Sequence, residues 1–144
     1  MNKQKQVVWI ARILVAIVTF LNLQAAFAFM LHPENFYQGF ELTGEPGVAL
    51  IRGMGLLFLM WNIPYLVAVW HPLRHFTSLV EAVVMQAIGV LGESILLFTL
   101  PGEHPVLESS VLRFIYFDGS GLLVLLIALL LVFTCRRNSA KISH

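Results

Sequence analysis

Residues 77–100 read TSLVEAVVMQAIGVLGESILLFTL, and how this stretch is read decides the fold. A helix needs about 20 residues to cross the hydrocarbon core of a bilayer. The uncharged part between Glu81 and Glu93 is far too short, and Pro101 limits any extension at the far end. A helix long enough to span must therefore include Glu93. Charges inside a bilayer are costly, so a span that carries one turns it toward other helices or a water-filled cavity.

Three further stretches of the same kind lie outside this one, at residues 7–31, 48–70 and 113–135. The 144 residues are 58% hydrophobic and 12% charged, against roughly 45–50% and about 25% in soluble domains. Nearly the whole chain is thus accounted for as membrane, and no room remains for a separate soluble domain. The expected architecture is all-α: one domain over residues 1–144, folded as a polytopic up-down four-helix transmembrane bundle. The short connections force consecutive spans into antiparallel neighbours.

The formal net charge of +1 conceals an ordered pattern. Lys3, Lys5, Arg12, Arg74, Arg136, Arg137 and Lys141 fall at the N-terminus, in the second connection or at the C-terminus. Glu34, Glu41, Glu45, Glu103 and Glu108 fall in the first and third. Cytoplasmic segments attract Lys and Arg, so both termini are expected inside a cell inner (plasma) membrane and the two acidic loops outside. One rival reading starts from Ala26-Phe27-Ala28, which has the small-x-small pattern of a signal-peptidase site. Cleavage there would leave three spans. The lone Cys135 excludes a disulfide framework and any Cys-x-x-Cys redox pair.

The first outer loop carries Phe36, Tyr37 and Phe40 among polar residues, a spacing that predicts a short helix lying in the membrane interface. Span two carries Pro64 inside its apolar run, where a proline removes a backbone donor and kinks a helix. His71 and His75 have the spacing of a helical zinc pair, but Pro72 lies between them and no third ligand is evident. His32, Glu34, Glu103 and His104 offer only a poor metal signal on the outer side. No metal, cofactor or catalytic residue is assigned, no nucleotide-cradling glycine loop is present, and nucleic-acid binding has no support.

The polar residues inside the spans are the candidates for function. Three charges each have a glycine beside them: Arg52-Gly53, Gly92-Glu93 and Asp118-Gly119. At about 1.5 Å of rise per residue, all three lie on the order of 5–10 Å below the outer ends of their spans. Gln24 and Asn22 of span one fall near the same level. Helical spacing groups Arg52, Gly55, Leu59 and Asn62 on one stripe and Gln86, Gly89 and Glu93 on another. The expectation is a ligand- or proton-binding cluster of Glu93, Arg52, Asp118, Asn62, Gln86 and Gln24, with Arg52 bridging the two carboxylates. Three roles fit it: fixing helix register, forming a polar pocket open toward the outer face, or contacting a partner subunit.

The segment Leu31-His-Pro-Glu-Asn-Phe36, followed by Arg52-Gly53-Met54-Gly55, resembles the small four-helix bacterial membrane proteins of the DoxX-like group and related families. That resemblance implies a four-helix fold and, in some members, an association with membrane redox partners. It carries over no catalytic residue. The functional expectation is a non-enzymatic ligand-binding or accessory subunit in contact with the lipid bilayer. Its expected partners are a second copy or a larger membrane complex, and a small lipophilic ligand. The alternatives are a proton-coupled transporter using Glu93 and, third, a membrane enzyme.

Overall fold

The computed structural model describes residues 3–142. They form four α-helices: α1 (Lys3–Leu31), α2 (Gly44–Trp70), α3 (Phe76–Thr99) and α4 (Pro105–Ile142). All four are long and apolar enough to cross a membrane.

Proline punctuates the chain where the helices stop and start. The residue before a proline is pushed out of the helical region. His71, ahead of Pro72, is extended at φ −160° and ends α2, and Leu100, ahead of Pro101, is extended at ψ 133° and ends α3. Pro105 opens α4, where a missing N–H costs nothing. Gly44 begins α2 at φ +62°, in the left-handed region that glycine enters freely. Helix α2 then continues through Pro64.

Each helix packs against two others, in the ring order α1–α2–α3–α4, and neither diagonal pair packs backbone to backbone among the described residues. The half of the bundle near the termini holds a dry apolar core: Ala11, Val15 and Val18 of α1, Ala68 of α2, Leu79 and Ala82 of α3, and Leu125, Ala128 and Val132 of α4. Four of these nine are alanines, small residues that let helices approach closely. Large apolar side chains point outward instead, among them Phe98 at 87% exposure and Trp70 at 77%. Such a surface is inside-out for a soluble protein.

Helix α2 begins at Gly44, ahead of the expected residue 48, and two further expectations change. Helix α4 begins at Pro105, well before residue 113, because Pro105 and the Glu108 N–H bonded to His104 O nucleate it early. The expected interfacial helix is instead two separate 3-10 turns, Pro33–Asn35 and Tyr37–Phe40. Phe36 and Phe40 fold back over the bundle, stacking on Phe29 at ring separations of 4.6 and 6.4 Å. This end is called the capped end below.

The glycines that admit close contacts are not those next to the charges. A Cβ at Gly53, Gly92 or Gly119 would meet nothing within 4 Å. At Gly55 it would come within 2.8 Å of the Ala26 carbonyl oxygen, so this glycine sets the α1–α2 approach.

Candidate functional site

Toward the capped end the helices part around a cavity of about 360 Å³. Its walls are aromatic: Phe29 of α1, Phe58 and Trp61 of α2, and Phe114 and Phe117 of α4, with Phe36 and Phe40 from the 3-10 turns as a roof. The rings contact one another; Phe114, for example, lies 5.8 Å from Phe40 and 6.3 Å from Phe58 between centroids. Tilted and edge-on pairs of this kind exploit the ring quadrupole.

At the inner end the lining turns polar, with one residue or more from each helix: Asn22, Asn62, Tyr65, Gln86 and Asp118. Gln86 is the hub. Its Oε1 accepts from the Tyr65 hydroxyl at 2.5 Å and from Asn22 Nδ2 at 3.5 Å. Its Nε2 donates to Asp118 Oδ1 at 2.9 Å and to the Asp118 carbonyl at 3.3 Å. Gly89 and Gly121 make room for this arrangement. A Cβ at Gly89 would sit 2.7 Å from Asp118 Oδ2, and one at Gly121 would sit 2.9 Å from Gln86 Nε2.

Asn62 is 2% exposed, and its Nδ2 donates to the Phe58 carbonyl at 2.7 Å. Its Oδ1 is buried without a partner. Buried polar atoms are nearly always hydrogen-bonded, so an unpaired one in a cavity wall is informative. Glu93 lies close enough to Asp118 for the two carboxyls to interact, does not line the cavity, and has its Oε2 buried and unpaired. Neither carboxyl has an ion-pair partner among the described residues.

Of the sequence candidates, Asn62, Gln86, Asp118 and Glu93 come together, and two do not. Arg52 is exposed and forms no ion pair among the described residues, so the expected Arg52–Glu93 bridge is absent. The buried stripe of α2 runs through Ile51 and Gly55, which leaves Arg52 one step outside it. Gln24 is likewise exposed, because the inward stripe of α1 passes through Val18, Asn22 and Ala26.

No family model matches this chain, and neither a curated protein nor a solved structure is significantly similar to it. The resemblance to the DoxX-like group gains no support from any relative, and the site must be read from its own chemistry.

Tyr65 and Arg113 are site residues that the sequence reading passed over. Tyr65 is three residues beyond Asn62 and so shares its face, a spacing visible in the sequence. Arg113 lines the cavity near the capped end, where its Nη2 donates to Ser110 Oγ at 2.9 Å.

A clamp holds the roof segment to α4. Glu41, at φ +55°, follows the second 3-10 turn. Its Oε2 accepts from His104 Nδ1 at 2.5 Å and its Oε1 from the Leu107 N–H at 3.3 Å. The carboxylate therefore caps the start of α4 from another element, satisfying a donor that the helix cannot. The hydrogen bond from His104 holds the Glu41 carboxyl below the usual carboxylate range. His32 pairs only locally, 3.5 Å from Glu34. The described residues include no group of three or more His, Cys, Asp or Glu arranged to hold a metal ion.

Proposed function

We propose that this chain is a membrane-embedded binding protein that takes a small lipophilic ligand into the aromatic cavity at the capped end of the bundle. The observation that carries the reading is Asn62, fully buried in the cavity wall with an unpaired carbonyl oxygen. A role in helix packing alone gives no reason to keep that atom unpaired, since a leucine would fill the place without its desolvation cost. Aromatic walls with a few convergent polar groups are the usual make-up of a small-molecule site, and the volume falls in the usual range.

The outward apolar surface supports insertion in a bilayer, and the distribution of Lys and Arg supports termini on the cytoplasmic side of an inner membrane. In that orientation the cavity lies in the outer half of the bundle. A second reading, a proton-coupled carrier working through Glu93, is favoured by the interaction between the Glu93 and Asp118 carboxyls. There Glu93→Gln would leave the fold intact and abolish pH-dependent transport.

The binding reading is tested with Trp61, which lines the cavity. Replacing Trp9 and Trp70 by Phe leaves Trp61 as the sole tryptophan. Titration of the purified protein with 3-(4-bromophenyl)propanol, a contact quencher, should give saturable loss of fluorescence. Ala25→Leu or Ala25→Phe, which fills the cavity from α1, should abolish the saturable phase. Quenching that is linear in probe and indifferent to both fillings would show partition into detergent and refute a binding cavity.

A further inference from the structure

We infer that the ligand is a lipophilic cation bearing N–H donors, such as an arylalkylammonium, held with its charge against Asp118 and Asn62 and its apolar body among the aromatic rings. This rests on the cavity being a binding site, and it names the class of molecule that fits.

The argument is an account of hydrogen-bonding valence. Each donor-bearing side chain at the inner end uses a donor inside the protein, with one amide hydrogen left on Asn22 and one on Asn62. Tyr65 Oη and Asn22 Nδ2 donate to Gln86, Gln86 Nε2 donates to Asp118, and Asn62 Nδ2 donates to the Phe58 carbonyl. The buried atom of the cavity wall left with no partner at all is an acceptor, Asn62 Oδ1, and the Asp118 carboxyl lines the same end with no ion-pair partner among the described residues. A ligand whose buried end only accepts hydrogen bonds would leave Asn62 Oδ1 unpaired and desolvated. One that donates completes the set.

The charge balance points the same way. Glu93 and Asp118 lie close together with no basic side chain paired to either among the described residues. A monovalent cation at Asp118 would supply the positive charge that no neighbouring side chain provides. The aromatic rings are suited to the same partner, since ring faces attract ammonium groups. Arg113 makes the opposite end basic, at the rim. The site is thus polarised, acidic at its inner end and basic at its rim, which directs a cation's charge inward. The exposed guanidinium is screened by water and salt, so it orients an entering cation without barring it.

The test uses three probes of equal size on the full chain with Trp61 as sole tryptophan: 3-(4-bromophenyl)propylammonium, the matching alcohol, and 3-(4-bromophenyl)propanoate. The ammonium should bind about tenfold tighter than the alcohol, and the carboxylate weakest. Asp118→Asn keeps an acceptor for Gln86 and should reduce the preference of ammonium over alcohol to within about twofold. The ordering in the single-tryptophan protein with Asp118 intact stands whether or not that variant folds. An alcohol that binds as tightly as the ammonium, or a carboxylate that binds tightest, would overturn the assignment of a cation and leave the cavity as a binding site. Saturable binding by none of the three would remove the binding reading itself.

Discussion

Gln86 reaches across to Asp118 with one amide nitrogen, donating to the carboxylate at 2.9 Å and to the same residue's carbonyl at 3.3 Å. The side chain of α3 thereby fixes the register of α4, while its oxygen accepts from Tyr65 of α2 and Asn22 of α1. One buried amide connects all four helices. Gln86→Leu keeps the volume and removes four hydrogen bonds. Each is worth about 0.6 kcal/mol by membrane double-mutant cycles, so the loss is roughly 2 kcal/mol. Asn22→Ala should cost under about 1 kcal/mol, since it removes one long bond. Reversible unfolding in detergent measures both, and equal effects would contradict a hub.

The glycines divide into two groups that substitution should separate. Gly55→Ala places a methyl carbon 2.8 Å from the Ala26 carbonyl oxygen, and backbone cannot step aside. Helices α1 and α2 must move apart, at a cost of about 1–3 kcal/mol. Gly53→Ala meets nothing within 4 Å and should stabilise by roughly 0.5–1 kcal/mol through helix propensity. Thermal midpoints of the two variants should shift in opposite directions.

The bundle was legible because four apolar runs of spanning length admit few other folds, and prolines mark the ends of the helices. The polar site was legible in part. Gln86, Glu93 and Asp118 are conspicuous in apolar helices. Arg52 misled because an α-helix offers both i−3 and i−4 neighbours: stepping back from Gly55 by three reaches Arg52, by four reaches Ile51, and packing chose Ile51. Gln24 shared the level of Asn22 but not its face. The aromatic walls gave no sequence signal, since a phenylalanine facing lipid and one facing a cavity read alike. The roof was misplaced for a related reason: Phe36 and Phe40 suit a membrane interface by composition, and only their stacking on Phe29 shows them turned inward.

Because Arg52 is exposed and unpaired, charge removal there should be nearly silent. Arg52→Ala should change stability by less than about 0.5 kcal/mol, as for surface sites away from structural features. Combined with Glu93→Gln, the two effects should add within about 0.5 kcal/mol, the usual result for residues that share no contact. A coupling above about 1 kcal/mol would restore the ion pair expected from the sequence.

Glu41 supplies a pH dependence whose sign can be worked out. Its carboxyl titrates below its ordinary value of 4.5 in the folded protein, chiefly because it accepts a hydrogen bond from His104 and also one from the Leu107 N–H. A carboxyl with a lowered folded-state pKa stabilises the fold fully above its unfolded value, and the contribution is lost as pH falls through the folded value. Glu41→Gln keeps the shape and removes the charge that caps α4 and anchors the roof. At about pH 6 its thermal midpoint should lie a few degrees below that of the unmodified protein. Between about pH 5 and pH 3 the two curves should converge, because the native carboxylate becomes protonated and loses the same interactions. Hydrogen exchange at the Leu107 amide should accelerate in the variant at the higher pH and match at the lower. A gap that widened under acid would mean that the Glu41 charge opposes the closed roof, and the clamp between the first loop and α4 would have to be abandoned.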